Sequence, residues 1–417
     1  MTTPASENVP VAAPAGEPAI KIAFVHYPGR IARLDACRAG SAPTEFLFGA
    51  IELERRGFEV AHFEIDPSIR GGRLGRYLDR FVHLGYLPPH MSSRELGQAR
   101  RLLPELRRYD AVVGTTIATS LALAFWKKAR RLDRPLLGIV TGLVDPAHRK
   151  MRRRISVSLL REMHVLLYGE AELEPMLALD RRLAGRVHLN QFGVDVNFWR
   201  PEPNAQNDGY VLAIGNDRRR DYETLVRAAE SIPAPVRIYT RQQRPARLPG
   251  NVSWHFADWH RQALSDEEVR SLYQGASVVV VPLRDSLQPS GQSVTLQAMA
   301  CGRPVVLTET RGLWSRAMLE GERSVFFTPP EDAGALTQAV RQLLEADDLA
   351  TALGTRAREF VCSQATIEQH AERMLKLCRE AIHPSLGEPR RSDTRAGLDP
   401  SPPPAGEPNS LPASRWE

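Results

Sequence analysis

Residues 277–310 constrain this chain more tightly than any other stretch: SVVVVPLRDSLQPSGQSVTLQAMACGRPVVLTET. The run 278–281 is apolar and too short for a helix, so it reads as a buried strand, which Pro282 stops. A polar loop, 284–292, then carries Pro289, Ser290 and Gly291. Residues 293–300 read as a helix, with Val294, Leu296 and Met299 apolar and Ala298 and Ala300 small. Gly302 and Pro304 end that helix, and 305–307 opens a second buried strand. Strand–loop–helix–strand is the unit of a parallel sheet, and its loop lies beyond the carboxyl ends of the strands, where such sheets bind ligands.

The loop has the chemistry of an anion site. Gly291 admits close backbone approach, and the N–H groups of Gln292, Ser293 and Val294 are the unpaired donors of a helix N-terminus. Ser290 and Ser293 are placed to cap the helix and to donate to a phosphate. A plain turn at Gly291 with an N-cap at Ser293 satisfies the same residues. The longer stretch resembles the donor-binding signature of family 4 glycosyltransferases, the group 1 type with the GT-B fold. Where that family reads roughly L-E-A-M-A-x-G-x-P-V-V, this chain has Leu296-Gln297-Ala298-Met299-Ala300-Cys301-Gly302-Arg303-Pro304-Val305-Val306. The family usually carries two glutamates eight positions apart; Pro289 and Gln297 stand at those positions here. Gln297 keeps the capacity to hydrogen-bond ribose hydroxyls without the charge. Pro289 has no such capacity, and Gln288 and Gln292 are the neighbours able to substitute.

At 417 residues the chain has room for two domains and tails. Its 42% hydrophobic and 25% charged residues are those of an ordinary globular protein. The formal charge is +6, yet of the 55 basic residues only five are lysine. That arginine bias fits codon composition as well as an anionic partner, and no aromatic-studded basic strand or zinc spacing accompanies it, so nucleic acid is not expected. The four cysteines form no C-x-x-C pair, which suits reduced thiols in a cytoplasmic protein, and no metal site is expected. The N-terminal residues lack the basic and apolar regions of a signal peptide. There is no run of about 18 apolar residues to span a membrane.

Residues 1–19 and 384–417 are Pro-rich and aperiodic and read as disordered tails. Order is expected from 20, where IKIAFVHYPG is a strand ending in a loop. A helix over 43–56 and a strand FEVAHFEI complete one β-α-β unit. The family resemblance makes Gly29 and Arg30 candidates to meet the donor diphosphate, although a plain turn explains them equally. His26, at the same strand end, is a candidate catalytic group. Residues 68–108 are helical and basic. Further strands are expected at 110–116 and 134–142, and the clusters 127–131 and 149–154 offer basic faces for peripheral contact with anionic lipid, or solvated helix faces. Asp145 follows the strand at 134–142 and is the second catalytic candidate, an acceptor-orienting base.

Two further segments carry the resemblance. RVHLNQFGVDVNFWRP places Gly193, Val194, Asp195, Phe198 and Pro201 in register with the family's G-V-D-x-x-x-F-x-P. Its Asp195 falls in an interdomain connector, which argues against metal binding. GYVLAIGNDRRRDYETL resembles the segment in which an arginine and a lysine grip the donor diphosphate. Here Gly215 and Asn216 open the loop, Arg220 takes the lysine position, and Arg218 and Arg219 are placed to compensate for Asn216. Tyr239, Trp254 and Trp259 are candidates to stack on the base.

The expected fold is α/β of GT-B type, two Rossmann-like β/α/β domains facing across a cleft. The divisions are an acceptor domain at 20–200, a nucleotide-sugar domain at 201–362 and a helix at 363–383 crossing back to the first domain. The resemblance implies metal-independent, retaining transfer from a nucleoside-diphosphate sugar, UDP favoured, to a hydroxyl acceptor that is a glycan, a lipid-linked group or a small molecule, with no further cofactor. An inactive relative that binds a nucleotide or partner, and a sugar-nucleotide epimerase, remain open.

Overall fold

The computed structural model describes residues 20–65, 79–88, 91–143, 150–203, 206–257, 264–321 and 323–383. The described residues contain two six-stranded parallel sheets. The first comprises β1 (Lys21–His26), β2 (Glu59–Glu64), β3 (Ala111–Gly114), β4 (Leu136–Ile139), β5 (His164–Leu167) and β6 (Val187–Leu189), in the order β2-β1-β3-β4-β5-β6. The second comprises β7 (Tyr210–Ile214), β8 (Val236–Thr240), β9 (Val252–Phe256), β10 (Ala276–Val281), β11 (Val305–Thr308) and β12 (Phe326–Thr328), in the order β12-β11-β10-β7-β8-β9.

Parallel pairing requires crossover connections, and the helices that supply them cover both faces of each sheet. The central strands are therefore unbroken apolar runs: Val278 to Val281 and Val305 to Leu307 are no more than 1% exposed. In the second sheet the chain builds outward from β7 through β8 to β9, then returns to β7 and builds the other way through β10, β11 and β12. The strand order reverses between β7 and β10, so a crevice opens beyond their carboxyl ends. One apolar core runs continuously from Phe24 and Ile51 through Trp199 to Val281 and Leu375, uniting the inner faces of both sheets.

The helix expected over 43–56 is interrupted. A short 3-10 turn, Glu45–Leu47, is followed by Phe48 and Gly49 with φ of +56° and +83°, and the α-helix proper is Ala50–Arg55. The cause is packing against the helix Ile367–Ile382: a Cβ on Gly49 would lie 2.8 Å from the Cα of Ala371. That last helix packs on Ala50–Arg55 and on β3 and β4, with Ala371, Met374, Leu375 and Cys378 fully buried. Helices at Arg316–Gly321 and Asp347–Gln364 were not foreseen in the sequence.

The G-V-D segment is a crossing point. Val194 donates to Ala365 O at 2.9 Å, and Ile367 donates back to Val194 O at 3.0 Å. A Cβ on Gly193 would fall 2.2 Å from Thr366 O, so only glycine lets the two strands of chain meet. Asp195 accepts from the N–H groups of Asn197 and Phe198, both at 3.1 Å, and so caps the connector.

Gly193→Ala is expected to lower the unfolding free energy by about 1–3 kcal/mol through overpacking against backbone. Gly250→Ala, where an added Cβ meets nothing within 4 Å, should change it by less than about 0.5 kcal/mol. Urea denaturation of both variants reads the difference.

Candidate functional site

A cavity of about 200 Å³ occupies the switch point between β7 and β10. Gly215, Asn216, Asp217 and Arg220 line it from the loop after β7; Gly291, Ser293, Val294 and Gln297 line it from the loop and helix after β10. Phe46 of the first domain closes one side, and Trp199, Asp266, Val269 and Tyr273 complete the wall.

Arg220 dominates its electrostatics. Backbone pairing with Leu283, and donation from Asp221 N to Pro282 O at 3.0 Å, zip the two loops together and turn the arginine inward. The residue is 3% exposed, and its guanidinium fills the space a Cβ on Gly215 would need, 2.5 Å from Nε. Nε lies 3.1 Å from Asp217 Oδ2, but neither Nε nor Nη1 makes a hydrogen bond. Opposite, the helix Gln292–Ala300 begins at Gly291, whose φ is +80°, with no side-chain cap. Neither Ser290 nor Ser293 caps it, contrary to expectation, because the left-handed turn at Gly291 takes the N-cap position. The first intrahelical bond there is Thr295 N–H to Gly291 O at 3.0 Å, so the preceding amides point out of the helix end. A buried cation and an open helix N-terminus thus face one small space, an arrangement suited to phosphate.

The expected residues separate into two groups. Gly215, Asn216, Arg220, Gly291, Ser293, Val294 and Gln297 meet at the cavity. Asn216 is already committed, donating to Ala257 O at 2.9 Å and accepting from Arg241 N at 2.7 Å. Arg218 and Arg219 are exposed and stand outside the lining. Ser290 is outside the lining, and Gln292 reaches across to the first domain to donate to Tyr168 O at 2.8 Å. Gly29 is exposed; Arg30 stands 4.9 Å over the Phe46 ring, adjoining the cavity, with burial pulling its pKa down to about 10. His26 is fully buried, 3.1 Å from His62 Nδ1, and desolvation lowers its pKa to about 3. It is a neutral core histidine in this structure and does not line the cavity. Asp145 and Trp259 lie outside the described residues. Tyr239 stacks on His255 at 4.5 Å and Trp254 meets Tyr222 edge-on, both away from the cavity.

The sequence reading missed Glu45, which is 0% exposed. Its Oε1 accepts from Trp199 Nε1 at 2.7 Å and from Gln297 Nε2 at 2.9 Å, and Tyr273 donates to Gln297 Oε1 at 3.2 Å. Desolvation raises the Glu45 pKa to about 7. Pro289 packs instead of bonding: a Cβ on Gly169 would lie 3.0 Å from its ring, and one on Gly142 would lie 2.7 Å from Gln288. Beside them Glu172 is 3% exposed, accepts from Gly142 N at 2.6 Å, and leaves its second oxygen without a partner. Burial lifts its pKa to about 7.

Residues 209–346, which hold the second sheet, match the family model for group 1 glycosyl transferases. The second domain carries the group 1 pattern. Over 114 residues the chain is 33% identical to D-inositol 3-phosphate glycosyltransferase from Corynebacterium jeikeium, covering 27% of this chain and 26% of that protein. Over 224 residues it is 24% identical to alpha-maltose-1-phosphate synthase from Mycolicibacterium smegmatis, covering 47% and 57%. The matches therefore span from about a quarter to just over half of these curated relatives. Among solved structures, Anabaena HepE in complex with UDP superposes with a TM-score of 0.60 at 15% identity, covering 87% of this chain and 100% of that one. Sucrose-phosphate synthase from Thermosynechococcus elongatus gives 0.61 at 19% identity, covering 87% and 98%. With the two facing sheets, these neighbours establish the GT-B fold.

A carboxyl whose folded pKa lies above its unfolded value binds its proton more tightly when folded, so its stabilisation is full below about 4.5 and lost as pH rises through about 7. The stability of the wild type relative to Glu172→Gln is accordingly expected to fall by about 3 kcal/mol between pH 4.5 and pH 8, then level. Denaturation at a series of pH values measures it; a constant difference would show that burial does not raise the Glu172 pKa.

Proposed function

We propose that this protein transfers a sugar from a UDP-sugar to a hydroxyl acceptor. The observation that carries this reading is the Arg220 guanidinium, buried between Gly215 and Gly291 with Asp217 as its ion-pair partner and neither Nε nor Nη1 in a hydrogen bond, opposite the uncapped helix end at 292–294. A diphosphate supplies oxygens with which Nε and Nη1 can form hydrogen bonds. As the glycosidic bond to the donor breaks, negative charge grows on that diphosphate, and both features stabilise it more in the transition state than before. Charge compensation by arginine and amides makes the reaction independent of metal. The group 1 match over the second domain and the UDP named in the HepE structure support the donor class. Retention of anomeric configuration follows from the resemblance to family 4. The contacts of Gln288, Pro289 and Gln292 with the first domain close the cleft beside the cavity, which excludes water from the reacting centre. A nucleotide-binding protein without turnover is the second reading, favoured by Pro289 packing where the family has a carboxylate.

Calorimetric titration with UDP tests the donor site. Arg220→Ala is expected to weaken binding by about 10²-fold or more, the loss of charge-assisted bonds to a buried phosphate. Replacing exposed Arg218 and Arg219 together should change it by less than about threefold. Equal losses from all three positions would place the diphosphate elsewhere; release of free UDP in the presence of acceptors separates turnover from binding alone.

We also propose peripheral contact with an anionic surface. Lys150, Arg153, Arg154 and Arg161 line a groove of about 520 Å³ whose apolar side is Val157 and Leu179. No helix among the described residues is long and apolar enough to cross a membrane. Cosedimentation with phosphatidylglycerol vesicles should fall severalfold in Arg153→Ala/Arg154→Ala and in high salt. Sedimentation indifferent to both would refute the contact.

A further inference from the structure

Gln297 does not face the donor cavity freely. Its Nε2 donates to Glu45 of the first domain at 2.9 Å, and its Oε1 accepts from Tyr273 at 3.2 Å. Glu45 reaches this position because the chain breaks at Phe48 and Gly49, which turns the preceding 3-10 turn into the interior. Its Oε1 is shared with the Trp199 indole at 2.7 Å, and its Oε2 lies 3.4 Å from Asp195 N in the connector. One buried carboxyl therefore touches both domains and the segment that joins them.

We propose that Glu45 is a positioning residue that fixes the Gln297 amide in the donor cavity, so that nucleotide recognition and domain closure share one hydrogen bond. The proposal rests on the donor-site reading above. With one N–H given to Glu45 and one lone pair taken by Tyr273, the amide keeps one N–H and one lone pair for ligand hydroxyls. Their orientation is set by the first domain and is correct only when the domains are closed.

This also explains why position 297 takes an amide. A glutamate there would set two carboxylates in contact at a buried position, where each disfavours the ionisation of the other. The titratable and charged groups facing Glu45 are Asp195 from the connector, Arg30 from the loop after β1, Cys37 from the helix Leu34–Arg38, and Tyr273 from the helix Asp266–Gly275. Two cations stand near this pair, Arg30 over the Phe46 ring and Arg220, which lines the same cavity as Gln297 and is itself ion-paired with Asp217. A second carboxylate in contact with Glu45 favours the uptake of a proton on closure.

The test uses the full chain and UDP at about pH 8, with titrations in two buffers of different ionisation enthalpy and small-angle scattering of the unliganded proteins. Gln297→Glu is expected to bind about tenfold or more weakly than wild type, to take up close to one proton on binding, and to scatter as a more open particle. Glu45→Gln/Gln297→Glu removes one carboxylate, and should lose the proton uptake and recover most of the closure. Gln297→Glu matching wild type in affinity, proton uptake and scattering would overturn the proposal. So would a weakening that the second substitution leaves untouched. If the wild type binds no UDP, the donor-site reading fails, and the scattering of the three chains decides the latch by itself.

Discussion

Taking a guanidinium out of water with one part-exposed carboxylate, Asp217, beside it and two of its nitrogens outside any hydrogen bond costs free energy, and a fold keeps such a group only where something else contributes more. In this protein the surrounding structure holds Arg220 in that state. Gly215 leaves room for the side chain, the Arg220–Leu283 bridge fixes its backbone, and Tyr222 donates to Gly215 O at 2.7 Å to hold the loop beneath it. The guanidinium and the helix end at 292–294 are thus held in place by the fold itself. Such preorganisation lets a few donors act strongly on a developing anion, because nothing has to reorient when the charge appears.

Much of this was legible in the sequence where local rules suffice. The valine run of β10 and the glycine and proline closing the helix Gln292–Ala300 each follow from neighbours a few residues away. Three consecutive arginines at 218–220 marked the loop, but not which of them turns inward; that choice is made by Leu283, more than sixty positions along the chain. Glu45 left no local signal at all. It sat in what read as one amphipathic helix, and the break that buries it is imposed by Ala371 of the last helix. Gln297 was found by its motif, while its engagement was not, because its partner belongs to the other domain.

The positions at which this chain departs from the pattern it resembles are therefore explained differently. Gln297 is matched to a carboxyl it touches. Pro289 is matched to a glycine: Gly169 has no side chain, and the proline ring fills that space at the cleft. Polarity is conserved in the first case and shape replaces polarity in the second. Both join the same two domains, so the altered signature has become part of the interface.

The pairing of Val194 with Thr366 brings the outgoing and returning crossings side by side, and the helix that follows completes the first domain from the far end of the chain. During synthesis the first sheet leaves the ribosome early, yet Ala371, Met374, Leu375 and Cys378, which cover it, are made after the whole second sheet. Its inner face must stay uncovered while the second domain is built beside it. The two domains are separate in space but not in the order of their making, and the first does not reach its final core until the chain has returned to it.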